Sequence, residues 1–287
     1  MNKKDQADKL RGEQYIGNSR KIMIYLVLSG GGILMMMPFL WMILGAFKPL
    51  REVMVFPPTF WPQEPTLANF QKVFAMIPFA RYYLNTAFVT IIPTIITVIT
   101  AAMAGFGFAK YKFKGAKVLF WLILATMMVP YPVTIVPLYV MAHQVGLVNT
   151  YTGLIVVGLS SAFGIFLMRQ FILSLPDSLL DAARIDGCTE FRIFFSLILP
   201  LTKPALATLT LFTFTSHWNS YIWPLMIINS DHLRTLSIAI PLFNGQYEQY
   251  PNLVYAASLM SLLPILLLFI FTQRFFVEGI TVSGLKE

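Results

Sequence analysis

Five runs without a single Asp, Glu, Lys or Arg occupy most of this chain: 22–47, 82–109, 118–168, 204–230 and 249–273. A helix needs about 20 predominantly apolar residues to cross a bilayer, and every run is at least that long. In lipid a segment must satisfy its own backbone polar groups, so runs of this length become helices. The third run is too long for one helix. It divides at 141–150, where Met-Ala-His-Gln-Val-Gly-Leu-Val-Asn-Thr gathers polar and turn-forming residues. The expectation is an all-α integral membrane protein with six transmembrane helices. Only 12% of its residues are charged, against about a quarter in soluble domains.

Six spans put both termini on one side. With the N-terminus inside, the inside segments 1–21, 110–117, 169–203 and 274–287 hold 16 of the 21 Lys and Arg residues, and the outside segments hold 5. Basic residues favour the cytoplasmic side, so both ends are expected there. The division is a cytoplasmic tail 1–21, a transmembrane domain 22–273 and a cytoplasmic tail 274–287. The first apolar run is longer than a signal-peptide core, so the tail reads as uncleaved. The net charge of +8 sits beside the spans, where insertion topology explains it without a nucleic-acid partner. A single cysteine, Cys188, leaves no intramolecular disulfide and no Cys-based metal cluster.

Gly30-Gly31-Gly32 lacks the Lys-Ser/Thr and strand-to-helix setting of a phosphate loop, so close helix packing is expected there. The proline- and aromatic-rich stretch 47–81 reads as an ordered external loop near the membrane surface. Pro130, Pro132 and Pro137 imply kinks in the third span. His143 stands alone and reads as a surface histidine.

Between Pro176 and Pro200 the chain carries Asp177, Asp181, Arg184, Asp186, Glu190 and Arg192 between two apolar runs. It reads as two short helices joined by a turn. Asp177 is placed to cap the first, Gly187 to end it in a left-handed conformation, and Thr189 to cap the second. Small Ala182 and Ala183 leave room for another surface. An amphipathic hairpin at the cytoplasmic face, docking a soluble motor, is expected here; the plainer reading is a connecting loop.

The fifth span holds His217, Trp218, Asn219, Tyr221 and Trp223. Aromatic faces and an amide in mid-membrane suit a sugar passage, although polar side chains also join helices. No Gly-x-x-x-x-Gly-Lys-Ser/Thr, His-Glu-x-x-His or Gly-x-Ser-x-Gly is present, which excludes P-loop hydrolysis of nucleotide and the corresponding hydrolase chemistries. The spans contain no Asp, Glu, Lys or Arg, and ion-coupled carriers usually need ionisable groups there. The chain therefore looks like a passage without catalytic residues or a bound metal, driven from elsewhere.

Asp181-Ala182-Ala183, then Gly187, then Leu197-x-Leu199-Pro200 resembles the EAA motif of binding-protein-dependent ABC importer permeases, with Asp for the usual Glu and Leu for the usual Ile. Thr126-Met-Met-Val-Pro130, Leu147-Val-Asn-Thr-Tyr151, Arg169-Gln-Phe171, Trp218-Asn219 and Trp223-Pro-Leu225 are similar to the MalG-type branch of carbohydrate permeases. So is the tail with Gln273-Arg274, Gly279, Gly284 and Lys286. The resemblance implies a type I importer permease fold in a bacterial inner membrane. Residues 176–200 would form a coupling-helix hairpin between spans four and five, with Asp181, Ala182, Ala183, Arg184, Asp186, Gly187, Leu199 and Pro200 engaging the ATPase. It also implies a MalF-like partner permease, two ATPase subunits that hold ATP and Mg, and an extracytoplasmic sugar-binding protein. Gly279, Gly284 and Lys286 would form a second docking point. Permeases for amino acids, polyamines or phosphate, a stand-alone secondary carrier and a membrane scaffold are the competing readings.

Overall fold

The computed structural model describes residues 18–245 and 249–283, with side-chain surroundings for 21–245 and 249–275. Twelve helices organise them: α1 Asn18–Ala46, α2 Ala68–Met76, α3 Phe79–Lys110, α4 Ala116–Thr126, α5 Tyr131–Gln144, α6 Tyr151–Val156, α7 Ala162–Leu173, α8 Asp177–Ile185, α9 Glu190–Leu201, α10 Lys203–Trp218, α11 Ile222–Ile227 and α12 Pro251–Ser283. Further single turns join them. α1, α3 and α12 contain stretches long and apolar enough to cross a bilayer alone. The pairs α4–α5, α7–α8 and α9–α10 reach that length only together, bent by 97°, 80° and 82°.

The third apolar run is thus broken more often than its composition suggests. The expected interruption at 141–150 falls between α5 and α6, after His143, which is exposed. A second break, at 127–130, is set by Pro130, which caps α5 in an extended conformation. Proline disfavours a helical residue before it and cannot donate to the preceding turn, so the expected kink becomes a near right angle. A third break, at 157–161, ends where Ser161 caps α7 by accepting from the Gly164 N–H.

α3 is the central helix and packs along α7 and α10. One core joins α3, α7, α8, α9 and α10 through Ala101, Met168, Leu180, Ile193, Ile198 and Leu209. A second lies at the opposite end of the bundle, where Val73, Tyr82, Trp218, Leu236 and Leu253 meet. There, stretch 47–81 is ordered by internal polar contacts. The Asn69 amide donates to the carbonyls of Ala46 and Lys48 at 2.8 and 2.7 Å, and Thr59 and the Gln63 N–H donate to buried Glu52.

The glycine triplet departs from expectation. Gly30, Gly31 and Gly32 meet nothing within 4 Å, because α1 stands away from the bundle along most of its length and packs on α12 only near Gly45. Nor does the last helix end with its apolar run at residue 273; α12 continues through Ser283. Gly279 therefore lies within helical backbone, while Gly284, Lys286 and most of tail 1–21 lie outside the described residues.

Candidate functional site

Apart from the tail residues Gly279, Gly284 and Lys286, two regions hold the residues singled out by sequence. The first is α8–α9. α8 leaves α7 at 80° and α9 enters α10 at 82°, so the unit lies crosswise to the helices it joins. Gly187 connects its halves with φ +77°, a left-handed conformation that only glycine adopts without cost. Thr189 caps α9 by accepting from the Arg192 N–H. The cap of α8 differs from expectation. Pro176 takes that position, and Asp177, one residue on, turns instead to Lys110 at the end of α3, 2.6 Å away. Lys110 Nζ also donates to the Leu175 carbonyl at 2.6 Å, fastening the α7–α8 corner to α3.

Arg184 reaches Glu190 across the turn at 2.9 Å and Asp181 one helical turn back on α8 at 3.2 Å, and the Tyr111 hydroxyl donates to Glu190. The hydrogen bond from Lys110 holds the Asp177 carboxyl below its ordinary range. Glu190 is lowered in the same direction by Arg184, then by Tyr111. Leu180 and Ile193 anchor the inner face in the core. Outward stand Asp181, Ala182, Ile185, Asp186 and Gly187, with Ile185 86% exposed.

α9 carries an irregularity that no sequence pattern announced. Residues Phe194–Ile198 form a π-helical turn, closed by the Leu199 N–H on the Phe194 carbonyl. Pro200 supplies no N–H, and buried Thr202 donates its hydroxyl to the Ile198 carbonyl at 2.8 Å just before the bend into α10.

The second region is a cavity of about 860 Å³ between the broken ends of α6–α7 and α10–α11. His217, Asn219, Tyr221 and Trp223 line it, with Thr97, Tyr131, Ser160, Thr213, Ser216 and Ser220. A smaller cavity of about 410 Å³ shares Asn219 and Tyr221 and is also lined by Trp218. The two tryptophans are chiefly packing residues. The Trp218 indole N–H donates to the Ser261 carbonyl at 3.0 Å, and its ring stacks on Phe214. The Trp223 N–H donates to the Gly153 carbonyl at 2.9 Å. Both side chains are buried.

His217 lies against Gly158, where no Cβ would fit beside its ring, and Thr97 donates to the Gly158 carbonyl at 2.7 Å. The serines and threonines of the wall went unnoticed in sequence because they are scattered over three runs. Among the described residues, no group of three or more His, Cys, Asp or Glu side chains is arranged to hold a metal ion.

A family model described as the binding-protein-dependent transport system inner membrane component matches residues 97–277. The arabinooligosaccharides transport system permease protein of Halalkalibacterium halodurans is 36% identical over 252 residues, covering 87% of this chain and 90% of its own length. The lactose transport system permease protein of Rhizobium radiobacter is 30% identical, covering 90% and 94%. In fold the chain resembles one from the crystal structure of a bacterial ABC transporter involved in import of the acidic polysaccharide alginate. That match has a TM-score of 0.80 at 23% identity and covers 91% of this chain and 99% of the other.

Proposed function

The chain belongs to the family of binding-protein-dependent transport system inner membrane components, and from that premise we propose how it works in the bacterial inner membrane. It is a transmembrane permease subunit of a carbohydrate ABC importer and is not itself an enzyme; ATP is hydrolysed on separate subunits. We assign it to the MalG-type branch, paired with a MalF-like permease, two ATPases that bind ATP and Mg, and an extracytoplasmic sugar-binding protein. Its six spans are α1, α3, α4–α5, α6–α7, α10–α11 and the apolar part of α12, with both termini cytoplasmic.

In this reading α8–α9 is the coupling segment. Asp181, Ala182, Ala183, Arg184, Asp186 and Gly187 face or position the ATPase, and Leu199 and Pro200 pass its movement to α10. The observation that carries the assignment is the crosswise placement of α8–α9, anchored on one face and open on the other. α10 begins where α9 ends and lines the cavity along its last two turns. A tilt of α8–α9 driven by ATP would therefore reach the cavity through one bend, giving the two-state switching that alternating access needs. Residues 279–287, with Gly279, Gly284 and Lys286, are proposed as the second ATPase contact.

The test is purification of the tagged chain from its native membrane in mild detergent, with identification of everything recovered. A second permease and an ATPase should accompany it. Recovery of the chain alone in several detergents, with uptake indifferent to ATP depletion, would return the reading to a stand-alone carrier.

A further inference from the structure

Among the described residues, the larger cavity has no Asp, Glu, Lys or Arg in its wall, and neither has the smaller cavity that shares Asn219 and Tyr221. Beside the imidazole of His217, what the wall offers is uncharged hydrogen bonding. Thr213, Ser216, Asn219 and Tyr221 have no side-chain partner among the described residues, so their hydroxyls and amide can donate to or accept from a ligand. Tyr131 and Tyr221 are each 43% exposed, and Phe212 56%. Their open ring faces can cover the C–H faces of sugar rings. The volume of about 860 Å³ lies in the upper part of the range that holds drug-sized ligands, roughly 300–1,000 Å³, and exceeds what a single sugar ring fills.

Among the described residues, ion pairs lie towards the two ends of the bundle: Lys110–Asp177 and Arg184–Glu190 at one, and Lys48–Glu52 and Arg234–Asp231 at the other. An anion moved to the cavity would lose its hydration without meeting a Lys or Arg side chain of this wall, which is costly in a low dielectric.

We infer that the cargo is a short neutral oligosaccharide and that this cavity disfavours uronates, phosphorylated sugars and sulfonated sugars. This deepens the carbohydrate-importer reading and rests on it. The alginate relative, whose substrate is described as acidic, shares the fold at 23% identity, so fold alone does not fix the charge of the cargo.

The experiment uses the full importer with its binding protein in proteoliposomes. Its probes are neutral oligosaccharides of two to four rings and the same rings oxidised to uronates or phosphorylated; the readouts are stimulated ATP hydrolysis and uptake. Neutral probes should act at concentrations on the order of a hundredfold lower than their charged counterparts, as the desolvation of an unpaired ion implies. Charged probes acting equally well or better would overturn the inference while leaving the carbohydrate reading intact. Stimulation by no glycan at all would overturn both.

Ser216→Trp ties the effect to the cavity. It should reduce uptake of four-ring probes by about tenfold relative to two-ring probes, a scale typical of pocket truncation. Recovery of the variant in the assembled importer, at wild-type yield and with basal ATP hydrolysis, shows that it folds. An unchanged length preference would remove the cavity from the pathway.

Discussion

Gly187 and the carboxylates around it make the residue scale decisive. A Cβ at Gly187 would meet nothing within 4 Å, so any cost of substitution comes from the backbone. A β-branched residue held at φ +77° costs about 1–2 kcal/mol, which is enough to reset the α8–α9 turn without unfolding the bundle. Gly187→Val should insert normally yet lose sugar-stimulated ATP hydrolysis, while Gly187→Asn, which tolerates the left-handed region better, should keep most of it. Normal uptake by the valine variant would remove the coupling role. Asp177 and Glu190 give the same unit a pH dependence. A carboxyl held low in the folded state gains protons more readily when its surroundings come apart. Its contribution is complete above the ordinary carboxylate pKa of about 4 and disappears as pH falls through the lowered folded value. Pepsin digestion in detergent should therefore cut the α7–α9 region faster as pH drops below that range, and Asp177→Asn should flatten the response.

At the scale of elements, the α3–α7 crossing sets how the bundle closes. A methyl group at Gly105 would lie 2.7 Å from Met168 Cβ and 2.9 Å from the Arg169 nitrogen. Backbone cannot yield there as a side-chain tip can, so Gly105→Ala should destabilise by about 1–3 kcal/mol, read as a lower temperature of thermal inactivation in detergent. Gly107→Ala, two residues on and facing open space, should be neutral or slightly stabilising because alanine favours helix. The apolar runs and the Gly187 turn were legible in sequence, since hydropathy and glycine chemistry act locally. Other features depend on what a residue meets in space. Asp177 suits an N-cap by type, but Lys110 from another helix claims it. Trp218 suits a sugar face by type, but Tyr83 and Phe214 enclose it. Pro130 announced a kink, yet nothing local fixed its angle at 97°. The π-turn of α9, which ends two residues before Pro200, had no local pattern to announce it.

For the whole molecule, the distribution of charge is the one signal that orients the chain, and it can be tested with the chain's own chemistry. Cys188 is the single cysteine; it lies half-buried just after Gly187. Replacing it by serine and placing a cysteine at exposed Ser178 on α8 gives a reporter of known position. If the basic excess of 16 residues against 5 sets topology, a membrane-impermeant maleimide should modify Ser178→Cys in inside-out vesicles and not in right-side-out ones. For the opposite end Ser230 is a poor choice, because the Asn149 amide donates to its hydroxyl. Exposed Gln63 serves there instead, and Gln63→Cys should show the reverse pattern. Adding the ATPase subunits should then slow labelling at Ser178→Cys if α8 docks them, and leave Gln63→Cys unchanged. Labelling from the wrong side would invert the topology and place α8–α9 out of reach of any cytoplasmic ATPase. Correct sidedness without protection would keep the topology and move the contact elsewhere on the same face.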